Sequence, residues 1–187
     1  MLTRESGAAR IVLPSSPALT PLIAAVRQAV AVGTDPADTA QRVAAALRVN
    51  PPPEMVVPEP GSHAGPRGQR LYVAPDGLFS IVGLRWRPGQ STRIHDHVSW
   101  GAVGIIAGTE RETMFDADLN QLGHADYQAG DVTWFIPPGD IHQVRNVATT
   151  TSVSIHVYGA DLRLVSSSVR RYYPPAGHAA GQAEAVA

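Results

Sequence analysis

The sequence predicts an all-β barrel or sandwich preceded by two helices. Three observations carry this. Helical spacing of apolar residues is confined to residues 17–48. A proline- and glycine-rich stretch follows at 50–68. Beyond it, short runs of β-branched and aromatic residues alternate with turn signals, the pattern of many short antiparallel strands.

Leu19, Leu22, Ile23, Val26, Ala29 and Val30 recur at helical intervals, so a first helix is expected from Pro17 to Val32, ended by Gly33. Asp35-Pro36 reads as an N-cap followed by proline in the first turn. A second helix then runs to about Arg48, with Val43, Ala44 and Leu47 on one face. Neither helix has a core of its own, so residues 1–50 are expected to form an extension packed on something larger. The stretch 51–68, within a span holding six prolines, is expected to be a loop. Strands are expected at 71–74, 78–86, 101–106, 110–115, 131–136, 141–147 and 151–158, within a barrel spanning 69–175. Residues 1–14 are expected to fray and the Ala/Gly-rich residues 176–187 to be disordered.

With 187 residues, 44% apolar and 17% charged, the chain can bury one sizeable core. A net charge of −1 gives no reason to expect nucleic acid or an anionic membrane surface as partner. No apolar run approaches the roughly 18 residues that span a bilayer, and the N-terminus lacks the layout of a signal peptide. A cytoplasmic protein, monomeric or a small homo-oligomer, is expected. The absence of cysteine removes disulfides, thiolate nucleophiles and Cys-ligated metal. A protein-held metal must use His or oxygen donors.

Of seven histidines, His63, His124 and His178 lie in loop-like or polar segments and read as solvated surface residues. His95 and His97 differ. On a strand, residues i and i+2 point to one side, so their imidazoles converge, while Asp96 points away. An isolated H-x-H is weak evidence; its surroundings strengthen it. Gly89 stands six positions before His95 and Gly108 eleven after His97. Further on come Gly130, Pro137-Pro138-Gly139, His142 and Asn146. These two stretches resemble the two cupin motifs, with one extra residue between Gly130 and Pro137. The resemblance implies a double-stranded β-helix, a jelly-roll barrel, and His142 as a third ligand beside His95 and His97. The motif's usual glutamate is replaced by Gly101. A neutral three-His face leaves the cation its full charge and about three open positions on an octahedral ion. An anionic thiolate substrate would supply the missing charge.

Within the cupins, the residues resemble bacterial cysteine dioxygenase-type thiol dioxygenases. The matching text is His95–Gly101, Gly108–Phe115, Gly139–Asn146 and Ser154–Gly159. The resemblance implies one Fe(2+) per chain, a small thiol and O2 as partners, and oxidation of L-cysteine to its sulfinate. 3-Mercaptopropionate is the alternative substrate. It also implies a relay of Ser154, His156 and Tyr158, with the phenol near substrate and oxygen. These alternate with Ile155 and Val157 and so share one strand face. The cysteine–tyrosine cross-link of animal members cannot form, because Gly101 and Ala102 occupy that neighbourhood. Cysteine-specific members place an arginine some two dozen residues before H-x-H. Members preferring mercaptopropionate carry glutamine there and another arginine after the tyrosine. Gln69 lines up best, Arg70 is one residue away, and Arg170 and Arg171 lie downstream with Arg163. Trp100 is expected beside the metal loop. Histidine ligands also suit nickel, zinc or manganese. Competing readings are a different cupin enzyme and a non-catalytic binding module.

Overall fold

The computed structural model describes residues 16–59 and 68–174 and the backbone of Glu184–Ala185. His63, His178, the expected N-terminal fraying and most of the expected disordered tail lie outside the described residues. After one 3₁₀ turn at Pro17–Leu19, helix α1 spans Thr20–Val32 and helix α2 spans Pro36–Val49. Asp35 caps α2 by accepting from the Ala37 and Asp38 amides at 2.9 Å, with Pro36 in the first turn. Asp38 in the first turn and Arg48 in the last both complement the helix dipole.

Among the described residues eleven strands follow: β1 Gln69–Val73, β2 Ser80–Trp86, β3 His95–His97, β4 Gly101–Ala107, β5 Thr109–Phe115, β6 Gln121–Gln128, β7 Val132–Phe135, β8 His142–Asn146, β9 Ser152–Tyr158, β10 Val169–Tyr172 and β11 Glu184–Ala185. They form two antiparallel sheets, ordered β1-β2-β9-β4-β7 and β11-β10-β3-β8-β5-β6. From β2 onward nearly every connection carries the chain from one sheet to the other, the winding of a double-stranded β-helix. Strand β6 is not among the strands expected from the sequence. Its sequence, QLGHADYQ, is poor in β-formers. It forms as an edge strand on β5, with Arg111 gripping Asp126 in two bonds of 2.6 and 2.7 Å.

The helices find their core on the outer face of the five-stranded sheet. Leu22 and Val26 of α1, with Val43 and Leu47 of α2, cluster with Ile81, Ala102, Val153, Ile155 and Val157. Each such fully buried side chain stabilises the fold by about 1.5–3 kcal/mol. Strand β9 is buried along its whole length. Its odd-numbered residues hold the helices, which turns Ser154, His156 and Tyr158 toward the space between the sheets. Nearby, Arg85 donates to the Val57 carbonyl and to Glu54 Oε1, both at 2.7 Å, and so pins the loop after α2 to β2. No described helix is long and apolar enough to cross a membrane.

Candidate metal centre

His95 and His142 face each other directly across the β3–β8 pair. His97 lies two residues along β3 on the same side. All three are buried, and their candidate ligand nitrogens lie within 4.8 Å of one another. The Nε2 atoms of His95 and His142 are 3.3 Å apart. Two nitrogens on adjacent positions of an octahedral ion, each about 2.1 Å from it, sit about 3.0 Å apart. The His95–His142 spacing therefore suits a shared ion, while the His97 nitrogen, in a set spread over as much as 4.8 Å, would draw inward to join them.

The outer nitrogens decide the tautomers. His95 Nδ1 lies 2.9 Å from the Arg93 carbonyl, His97 Nδ1 3.0 Å from Asp140 Oδ2, and His142 Nδ1 2.6 Å from Glu112 Oε1. Carbonyls and carboxylates only accept, so each ring holds its proton on Nδ1 and turns a bare Nε2 inward. That is the arrangement in which imidazole binds metal. Burial, reinforced by the neighbouring imidazoles, holds His95 and His97 well below the usual histidine range, so both stay neutral. Asp140 also accepts from the His97 amide at 3.0 Å; burial raises its pKa.

Asp96 points away from this cluster, as alternation requires. Its carboxylate receives Arg170 at 2.5 Å, Arg171 at 2.8 Å and the Tyr173 hydroxyl at 2.9 Å. Burial pushes the carboxyl up, but these three donors outweigh it and hold it below the ordinary value. Arg170 and Arg171 are thus spent on fixing the H-x-H strand and lie outside the cavity wall, away from the substrate role expected of them.

Gly101 stands where the cupin motif carries glutamate, and the structure supplies a reason. A Cβ there would meet the Phe135 ring at 2.3–2.9 Å. Phe135 stacks on His97, with centroids 4.3 Å apart. An aromatic ring fills the room that a carboxylate ligand would need.

On β9 the hydrogen-bond chain is continuous. Trp86 Nε1–H donates to Ser154 Oγ at 3.1 Å, Ser154 Oγ meets His156 Nε2 at 3.0 Å, and His156 Nδ1 meets the Tyr158 hydroxyl at 3.0 Å. Burial lowers His156 to about 3 and raises Tyr158 to about 12. Neither ionises near neutrality. Tyr158 also stacks on His97, with centroids 5.7 Å apart.

A cavity of about 430 Å³ opens onto the three histidines and this chain. Its wall includes Arg70, whose Nη1 donates to the Leu162 carbonyl at 2.6 Å. Gln69 turns away and donates to the Pro58 carbonyl at 3.3 Å. Trp100 lies outside the wall. It packs over Gly159, where an added Cβ would meet Trp100 Nε1 at 2.2 Å. His124 is exposed on β6.

Sequence reasoning assigned no role to Glu112, Asp140, Phe135 or Glu110. A signal existed for two of them. Glu110 and Glu112 sit two apart on β5 with Arg111 between, so both carboxylates take the inner face while the arginine pairs outside.

The family model described as cysteine dioxygenase type I matches residues 11–176. Cysteine dioxygenase type 1 of Danio rerio is 27% identical over 112 residues, which cover 55% of this chain and 54% of that protein. The chain therefore spans about half the length of that curated relative. Similar solved structures include an uncharacterized conserved protein with a double-stranded β-helix domain from Klebsiella pneumoniae (17% identity, 55% of this chain, 83% of that chain, TM-score 0.46). A Bacillus subtilis oxalate decarboxylase mutant is 24% identical, over 56% of this chain and 28% of that one, with a TM-score of 0.45. Peruvianin-I, a cysteine peptidase from Thevetia peruviana latex, is 21% identical, over 56% and 68%, with a TM-score of 0.47.

Proposed function

The chain belongs to the cysteine dioxygenase type I family, and from that premise we propose that it oxidises a small thiol carboxylate to the sulfinate with O2. The observation that carries the proposal is the set of three buried imidazoles, each with Nδ1 held on an oxygen acceptor, opening into a cavity that also holds Arg70 and Tyr158. His95, His97 and His142 would hold one ferrous ion; when bound it supplies the activation of dioxygen and acidifies the substrate thiol. The remaining work falls to the chain. Arg70 offers a guanidinium to the substrate carboxylate. Tyr158, neutral and held by His156, places a hydroxyl at the cavity wall. Phe135, Trp86, Val82 and Leu84 line the same space and limit water. In balance, RSH and O2 give RSO2⁻ and H⁺; sulfur loses four electrons and both oxygen atoms gain them.

Arg70 in the cavity wall and Gln69 outside it favour L-cysteine as substrate over 3-mercaptopropionate. The test is oxygen uptake and sulfinate formation by iron-loaded protein with L-cysteine, 3-mercaptopropionate and cysteamine. We expect sulfinate from carboxylated thiols, its loss in His142→Ala and a sharp fall in Tyr158→Phe. Metal binding without turnover on any thiol would leave a binding module instead.

A further inference from the structure

Glu110, on β5, has no part in the reading above. Its side chain is 2% exposed, and neither carboxylate oxygen has a hydrogen-bond partner. It lines the same cavity as the histidines. A fully buried, unpaired carboxyl group is costly and rarely kept without use. The Ser152 and Ser154 hydroxyls stand near enough to pull its titration downward. Ser152 Oγ is itself buried without a partner.

Ser154 is the inner end of the β9 chain. Its oxygen has two acceptor positions and one O–H. Trp86 Nε1–H fills one acceptor position. If His156 Nε2–H fills the second, the serine proton is free for Glu110, and Nδ1 of His156 is left to accept from Tyr158. If instead Ser154 donates to Nε2, His156 carries its proton on Nδ1, and the Tyr158 O–H is turned to the cavity. The chain therefore has two polarities, and the protonation of Glu110 selects between them.

We propose that Glu110 is the proton-holding end of the Tyr158–His156–Ser154 chain, storing there the proton that a substrate thiol gives up. This rests on the thiol-oxidation reading. The S–H bond breaks and its proton joins the Tyr158 oxygen. The Tyr158 proton moves to His156 Nδ1, the Nε2 proton to Ser154 Oγ, and the serine proton to Glu110. Four bonds to hydrogen break and four form, and no electrons are exchanged. The outcome is a thiolate, a neutral Glu110 and a Tyr158 hydroxyl presented as donor. The proton returns to solvent after the sulfinate leaves. Burial raises Glu110 to about 7, against the pull of the two serines, so it holds or releases a proton near neutrality. The other titratable groups sharing its cavity wall are Glu112 on its own strand, Arg70 on β1, His95 and His97 on β3, Tyr127 on β6, His142 on β8, His156 and Tyr158 on β9, and Tyr172 on β10. In this scheme Glu110 acts as a positioning residue, through the chain.

The test reads the chain directly. In zinc-loaded, ¹⁵N-histidine-labelled protein, His156 should change tautomer from Nε2–H to Nδ1–H as Glu110 becomes protonated. Glu110→Gln should abolish the change. Ser154→Ala should abolish it too while leaving the Glu110 carboxyl titration visible by infrared spectroscopy, so the link is tested even if one variant folds poorly. In iron-loaded enzyme, Glu110→Gln should lose about a hundredfold in kcat/KM, the low end for a placed proton-transfer group, and lose the ionisation near neutrality from its pH profile. A His156 tautomer constant across the titration overturns the proposal. So does a Glu110→Gln enzyme with wild-type rate and profile. Failure of the wild type to oxidise any thiol rejects the reaction but still leaves the tautomer measurement to decide the wiring.

Discussion

Ionising Glu110 inside the protein has a stability consequence that can be worked out in advance. Burial lifts its pKa from 4.5 to about 7. The folded state therefore holds this proton more tightly than the unfolded chain. A raised carboxyl pKa gives stability that is present in full below 4.5 and is lost as pH rises through 7. At 1.36 kcal/mol per unit, the whole shift corresponds to about 3 kcal/mol. Between about pH 5 and pH 8 the loss is about 2.5 kcal/mol, because the group is already partly ionised in the unfolded chain at the lower pH. Glutamine has the same shape and does not titrate. Urea unfolding of wild type and Glu110→Gln at both pH values isolates the term, since all other titrating groups are shared. The variant should gain about 2–3 kcal/mol relative to wild type on going from pH 5 to pH 8. An unchanged gap between the two proteins would mean that Glu110 is hydrated or paired, and that the burial argument fails.

Three other outcomes follow from single contacts. Glu112→Gln and Asp140→Asn each remove the carboxylate that orients a ligand imidazole. Each should weaken metal binding by about 10–100-fold in a chelator competition. Gly101→Ala drives a methyl group into the Phe135 ring and should cost about 1–3 kcal/mol in denaturant unfolding; wild-type stability would show that the ring moves aside freely. Arg70→Ala should raise KM for carboxylated thiols by about 10–100-fold, the worth of a charge-assisted bond, and leave cysteamine kinetics unaffected. Gln69→Ala should change neither.

Both helices were legible because their apolar spacing and caps are local. The same holds for the strands with β-branched runs. H-x-H and the Ser-x-His-x-Tyr segment were legible because strand alternation places such residues together. What sequence could not decide lies at irregularities and long-range pairings. Which of Gln69 and Arg70 meets the cavity could not be counted back from the rest of β1, because a register shift between Arg70 and Tyr72 breaks the alternation there. A similar shift between Val169 and Arg171 lets both Arg170 and Arg171 reach Asp96. Asp140 and Glu112 lie 43 and 30 residues from the histidines they orient, so nothing local marks them.

The substitution at Gly101 also shifts where negative charge sits. Phe135 occupies the space beside His97, so no carboxylate from that position can reach an ion. Two carboxylates stand one layer further out instead, on the Nδ1 atoms of His97 and His142. A charge that far away makes its ligand imidazole more basic without occupying a coordination position. On the proposed reading, an ion held there would meet a face without a carboxylate ligand, which would favour an anionic sulfur over water or a neutral ligand. The same neutral surroundings give a departing thiol proton no carboxylate beside the ion on which to stay. The cavity's remaining unpaired acid is Glu110, among the described residues, at the far end of the β9 hydrogen-bond chain. On the proposed reading, a three-histidine face and a remote proton store both follow from one exclusion: no carboxylate would stand beside the ion.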